Sequence, residues 1–416
     1  MRLKYAFFWA CVLIVLQGLI PTRLFAQVMT GLDNIIAEHW APLKGKNVGL
    51  ITNQTGRTRT GEFGDSLFAR EKSFHLIALF APEHGLMGER PAGVQSDTLE
   101  RMMGVPVYSL YGSTRKPTKA MLRGVNALVF DIQDIGVRPY TYLSTMILSM
   151  EAAAENHISF FVLDRPNPLS GVRIEGNVLD TTLKSFVGLV PVPYLHGMTL
   201  GELASLAKAK GWFNKASDLR LTVIPMRGWK RTMYWNETGL AWNAPSPNVP
   251  SFENAVGAAM FGATGELGIV SIGIGSDAPF LRIGSTLLGT TEILHIANST
   301  LPNELTFVPE DFIGSSNAGI KNYNGIRIVL PSNLSLVPSF YEGQYRMLEA
   351  MLRDTALRSS FDQIAYSSEN MFAKVTGMRR LLDALKQCVG LTPIFERWRK
   401  DTEIFRQERE PYLLYH

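Results

Sequence analysis

The chain has 416 residues, 46% of them hydrophobic and 19% charged, a length suited to two domains and a balance that excludes a disordered tail, a coiled coil or a collagen-like rod. Two cysteines are too few for a disulfide scaffold. The formal net charge is +4, of which Arg2, Lys4 and Arg23 supply three with no acid among residues 1–26, so the remainder carries +1, a balance that does not point to nucleic acid or an anionic membrane as partner.

Residues 1–26 read as a signal peptide. Arg2 and Lys4 precede an uncharged stretch with an apolar centre from Ala6 to Leu16, and Leu24-Phe25-Ala26 places a small residue before Gln27. Cleavage after Ala26 and export to the periplasm are expected; an uncleaved segment would instead tether the protein to the membrane. No other segment reaches about 18 consecutive apolar residues. Cleavage leaves Cys388 as the one thiol, read as a buried small hydrophobe.

From residue 43 onward, short apolar runs alternate with amphipathic segments, the pattern of an α/β domain with a mostly parallel sheet. Strands are predicted at Asn47–Thr52, Leu76–Phe80, Val105–Leu110, Ala127–Ile132, Ser159–Leu163 and Leu219–Pro225. Helices are predicted at Thr141–Asn156 and Thr199–Ala209, where Thr199 and Glu202 fit a capping box. Residues 241–254 hold three prolines and little periodicity, so they read as an ordered loop or a domain junction. Beyond a Gly-rich stretch at 257–290, helical patterns at Ser339–Leu357, Ala373–Cys388 and Ile394–Arg409 indicate a smaller α+β domain. The expected division is 1–26, 27–255 and 256–416.

Polar residues follow each of the first five predicted strands: Asn53, then Glu83 and His84, then Tyr111, then Asp131, Gln133 and Asp134, then Asp164, Arg165 and Asn167. Strand ends are polar wherever chains turn, but in an open parallel sheet the carboxyl ends of the strands also line one ligand crevice. The sharpest of these sequences is Ala81-Pro82-Glu83-His84-Gly85, in which Pro82 fixes one backbone angle and Gly85 permits an abrupt exit. Glu83, between apolar Phe80 and Leu86, is there a candidate general acid with His84 beside it. The Phe130–Tyr142 run adds Asp131, Gln133, Asp134, Arg138 and Tyr140, a mix suited to a polyhydroxylated or anionic ligand, although the two acids equally suit helix caps or partners for Arg138. Leu163–Pro168 adds Asp164, Arg165 and Asn167, the last stiffened by prolines on both sides, and Glu175 follows.

Other chemistries have less behind them. The seven histidines show no zinc-ligand spacing, and neither a P-loop nor a G-x-S-x-G elbow occurs, so no metal and no cofactor is expected. Gly273–Ala278 fits G-x-G-x-x-A, yet Pro279 and Phe280 follow instead of a helix; a nucleotide-dependent oxidoreductase is the alternative that this stretch keeps open.

Taken in order, Gly31-Leu32-Asp33, Gly49–Gly56, Pro82–Gly85, Pro106–Gly112, Phe130–Tyr142, Leu163–Pro168, His196-Gly197-Met198-Thr199, Pro225–Trp229, Pro245-Ser246-Pro247-Asn248 and Pro411–Tyr415 resemble the exo-β-N-acetylmuramidases, secreted bacterial enzymes. The resemblance implies a Rossmann-like catalytic domain joined to a smaller C-terminal α+β domain, with the site in the cleft between them. It also implies release of N-acetylmuramic acid from the non-reducing ends of peptidoglycan fragments, so that small saccharides or muropeptides are the partners, and it makes Glu83 the catalytic acid. Asp131, Asp134, Asp164 and Glu175 stay open as the second group that glycoside hydrolysis needs. Arg138 or Arg165 is expected to bind the lactyl carboxylate, with His196 and Asn248 as further contacts.

Two departures accompany the match. Ile272 and Ile274 stand where the family typically has Glu and Arg, and Val94 stands where an acid usually follows the Ala-Gly pair. If positions 272 and 274 line the cleft, muramic acid glycosides bind more weakly than in relatives with the charged pair; the first alternative is a non-catalytic muropeptide or sugar binder of the same fold, ahead of the oxidoreductase.

Overall fold

The computed structural model describes residues 27–91, 93–94, 100–316, 319–364 and 366–416. The expected signal peptide, residues 1–26, lies outside the described residues, as does Ala92 of the Ala-Gly pair.

The first half of the chain lays down β1 (Asn47–Thr52), β2 (His75–Ala81), β3 (Glu100–Met102), β4 (Val105–Ser109), β5 (Ala127–Asp131) and β6 (Ser159–Leu163), then a separate ribbon of β7 (Glu175–Val178) and β8 (Pro193–Leu195), then β9 (Leu221–Ile224). Seven of these form one sheet in the order β3-β4-β2-β1-β5-β6-β9, parallel except for the β3–β4 edge. Side chains alternate between its faces, as a two-residue period requires. Val48, Leu50, Ala127 and Val129 pack on one side with α1 (Gly31–Ala37) and α2 (Gly64–Arg70), and Ile51, Phe80, Leu128 and Phe130 pack on the other with α3 (Thr141–Glu155) and α4 (Leu200–Ala209). Covering both faces explains why these strands read as unbroken apolar runs. The predicted capping box at Thr199 and Glu202 is present at the start of α4.

The second half opens with α5 (Phe252–Phe261) and builds an antiparallel sheet around β13 (Gly319–Val329), which pairs with β10 (Arg282–Ser285), β11 (Thr306–Pro309) and β12 (Phe312–Ser316). Helices α6 (Thr290–Thr300), α7 (Glu342–Met351), α8 (Thr355–Asp362), α9 (Tyr366–Thr376), α10 (Arg379–Gln387) and α11 (Thr392–Arg409) complete it. Two predicted helices are each divided. The chain turns at Leu352–Asp354, where Asp354 caps α8, and at Gly377, whose φ of 67° ends α9. Cys388 is a correction: it caps α10 in the left-handed region and is exposed, not buried. The turn at 273–278 leads into β10 and no helix follows, so it offers no helix N-terminus to a dinucleotide phosphate.

The halves share one apolar core, in which Ile135, Val137, Tyr194 and Leu195 pack with Tyr341, Tyr345 and Trp398. Tyr194 and Tyr341 stack with centroids 4.0 Å apart. Phe405 of α11 in turn belongs to the core under the parallel sheet.

Candidate active site

Between β1 and β5 the chain reverses its direction of travel across the sheet, since β2 and β4 lie to one side and β6 and β9 to the other. Such a switch point opens a crevice at the carboxyl ends of the strands. Asn53 sits there after β1. Its Oδ1 accepts from the Thr55 amide (3.0 Å) and hydroxyl (2.5 Å), and its Nδ2 donates to the Tyr142 hydroxyl (2.9 Å). Tyr142 donates to the carbonyl of Pro245 (2.5 Å), and Gln54 donates to that of Ala244 (2.7 Å), so the Pro-rich loop is held over the crevice as an ordered lid to the sheet. Asn248 lies half-buried in that loop.

Glu83 follows β2 in a turn closed by the Gly85 amide donating to the Pro82 carbonyl, with His84 and Gly85 at φ of 70° and 80°. A non-glycine residue in that region is held by its surroundings, and here the His84 ring bonds the Arg90 carbonyl through Nδ1 (2.8 Å). The Glu83 carboxylate is buried: Oε1 accepts from the Gly93 amide (3.0 Å) and Oε2 from the Thr141 hydroxyl (2.6 Å). Thr141 is the first residue of α3, so this carboxylate also lies at a helix N-terminus, where negative charge is favoured. Tyr111, after β4, stands beside it; burial and then the Glu83 charge push the phenol up to about 12.

The polar residues after β5 take unlike roles. Asp131 forms a buried two-point pair with Arg165 (2.7 and 3.0 Å), and burial still raises its carboxyl above the usual range. Gln133 donates from Nε2 to the carbonyls of Asp134 (2.7 Å) and Pro166 (2.8 Å). Asp134 accepts from the Gly136 amide at one oxygen (2.7 Å), while its other oxygen is buried without a partner. Burial, only partly offset by the Gly136 and Ile135 amides, pushes this carboxyl up to about 7. Tyr140 packs edge-on against Tyr142 at 4.8 Å, and burial raises its phenol. Gly136, at φ of 85°, passes so close to Asn167 that an added Cβ would lie 2.4 Å from its Oδ1. That contact positions the Asn167 side chain, which accepts from Leu169 (2.9 Å) and donates to Met198 (3.0 Å).

Family models for the exo-β-N-acetylmuramidase NamZ match this chain at residues 48–253, for the N-terminal part, and at 256–415, for the C-terminal part. The chain belongs to the exo-β-N-acetylmuramidase family. The peptidoglycan β-N-acetylmuramidase NamZ of Bacillus subtilis (strain 168) is 36% identical over 404 residues, covering 94% of this chain and 92% of that protein. Two crystal structures of DUF1343 family proteins from Bacteroides fragilis superpose with TM-scores of 0.86 and 0.70 at 34% and 28% identity, each covering 94% of this chain and 99% of the other.

Within this muramidase fold, four residues expected at the site belong to the framework instead. Arg138 is almost fully buried and meets no carboxylate among the described residues; it donates to the carbonyls of Asn177 (2.8 Å), Val192 (2.8 Å), Val375 (3.3 Å) and Thr376 (2.7 Å), so its guanidinium ties the halves together and is not free for a lactyl group. Asp164 accepts from the Thr199 hydroxyl (2.7 Å), the Gly201 amide (2.8 Å) and the Tyr415 hydroxyl (2.5 Å), which anchors α4 and the chain end. Glu175 pairs with Arg173 (2.5 Å) and accepts from Ser339, Phe340 and Tyr341, fixing the start of α7. His196 is buried, and burial with Arg409 and Arg138 nearby pushes its ring down to about 3, leaving it neutral as an acceptor for the Met198 amide (3.2 Å).

Ile272 corrects the sequence reading too. It is 7% exposed in the C-terminal core against Gly265, and Ile274 packs on that core, so these side chains serve packing in this chain. Sequence reasoning gave no role to Thr141, Gln54 or Arg57, which touch Glu83, hold the loop and line the crevice respectively. Thr141 was legible only as a helix start.

Proposed function

We propose that this muramidase-family chain is a glycoside hydrolase that releases N-acetylmuramic acid from the non-reducing end of peptidoglycan fragments, with Glu83 as its proton-transfer group. The observation that carries the reading is the Glu83 carboxylate, fixed at the crest of the sheet by the Gly93 amide and the Thr141 hydroxyl beside the Tyr111 phenol. A glycosidase needs a carboxyl fixed beside the scissile bond: in its protonated form it gives its proton to the leaving oxygen as the glycosidic bond breaks, and water delivers hydroxyl to the anomeric carbon and returns the proton. Membership of the family supplies the substrate class, because the Bacillus subtilis relative is a peptidoglycan β-N-acetylmuramidase.

The test is mass spectrometry of a defined fragment with N-acetylmuramic acid at its non-reducing end. Free N-acetylmuramic acid and a fragment one sugar shorter are expected. An unchanged fragment alongside an active homologue would favour the sugar-binder reading.

A further inference from the structure

Under the Pro-rich loop, at the switch point between β1 and β5, lies a cavity of about 160 Å³. A second, of about 220 Å³, shares Arg57 and Asn243 with it and reaches Met87 and Gly88, in the segment that follows Glu83. Among the described residues no Asp or Glu lines either one, whereas Arg57, Arg59 and Arg165 all line the first. Arg165 is neutralised by Asp131. Arg57 is not: its Nε donates to the Gln54 carbonyl (3.1 Å), its Nη1 to that of Gly61 (3.4 Å), and its guanidinium lies 3.7 Å from the centre of the Phe63 ring, with no carboxylate paired to it among the described residues. These contacts hold the fork in place while leaving its charge uncompensated. Two residues of the same walls carry buried polar atoms without partners, the Trp235 indole nitrogen, a donor, and Gln133 Oε1, an acceptor. Buried polar groups are seldom left unpaired, so both await complementary groups.

We propose that this cavity is the subsite for a carboxylate on the bound sugar, and that Arg57 is the residue that selects for it. The inference rests on the muramidase reading, since the lactyl ether of muramic acid bears such a carboxylate and N-acetylglucosamine does not. The preset guanidinium takes the carboxylate oxygens, the Trp235 N–H gives a further donor, and Gln133 Oε1 accepts from an amide N–H of the same sugar. With Arg138 committed to backbone carbonyls, Arg165 to Asp131 and Arg59 exposed to solvent, Arg57 is the guanidinium that this crevice both fixes in place and leaves without a carboxylate among the described residues.

Wild type and Arg57→Gln are compared on a fluorogenic N-acetylmuramic acid glycoside and on the same glycoside with its lactyl group converted to the neutral amide. Loss of a charge-assisted contact predicts that the wild type prefers the acid by roughly 10–100-fold in kcat/KM, carried by KM, and that Arg57→Gln collapses this preference toward one. Arg57→Lys, which keeps the charge without the fork, should fall between them and guards against a folding failure. A residue acting only through structure would lower both substrates alike, and that result, or an unchanged preference, would overturn the proposal. If the wild type hydrolyses neither glycoside, the functional reading fails instead. Calorimetry with free N-acetylmuramic acid and its lactyl amide still decides the subsite: an Arg57-dependent preference for the acid supports it, and equal binding sinks it.

Discussion

Two carboxyls end up at the crest of the sheet in opposite surroundings, and neither environment follows from the residues next to it. Glu83 has a hydrogen-bond partner at each oxygen, whereas Asp134 has one oxygen buried alone. A carboxyl pushed up to about 7 is protonated in the folded chain over a range in which the unfolded chain, near the ordinary Asp value of about 3.9, has lost its proton. The folded state then binds more protons, so this residue makes stability fall as pH rises from about 4 to about 7, with the cost complete above that. Asp134→Asn keeps an acceptor for the Gly136 amide and carries no charge. Its melting temperature should exceed that of wild type at pH 8, by roughly 2–4 kcal/mol in stability, with the gain shrinking toward pH 4. An equal gain at both pH values, or none at pH 8, would mean that Asp134 is ionised in the native protein.

At the scale of elements, what could be read in advance was what is local. β1, β5 and β6 announce themselves because both faces of the sheet are covered, and the Glu83 turn does so because Pro82 and Gly85 bracket it. α3 was readable for a similar reason, since nearly all of its residues are buried and give a continuous Met- and Ala-rich segment. The α+β character of the second half was legible but its strands could not be placed, because β13 is exposed at four successive positions before any alternation begins, so its first half looks like loop. The division of the long helical patterns was likewise hidden, at Asp354 and Gly377, where a cap and one left-handed residue outweigh the periodicity around them. Least legible were the framework roles of Arg138 and Glu175. Arg138 donates to residues 39, 54, 237 and 238 positions away, and no local pattern records such partners.

Over the whole molecule, the two halves are joined by polar ties as well as by a common core. Arg138 reaches carbonyls of both halves, Arg409 at the end of α11 donates to Gly171 and His196, and Tyr415 bonds Asp164 beneath the crest. The chain end thus buttresses the strand ends that carry the site. Among the described residues, no helix is long and apolar enough to cross a membrane. We infer from the pattern of residues 1–26 that the protein is exported to the periplasm and trimmed. Sequencing of the native protein should begin at or near Gln27, and recovery of Met1, or of cytoplasmic protein alone, would refute this. Glu83 is proposed to perform the proton transfer on a muramic acid glycoside, and Glu83→Gln isolates that role, because the amide keeps the size of the side chain and removes its ability to give up a proton. The variant should melt near the wild-type temperature and lose roughly 10²–10⁴-fold in kcat on a fluorogenic N-acetylmuramic acid glycoside; a folded variant with near-normal turnover would mean that another group transfers the proton.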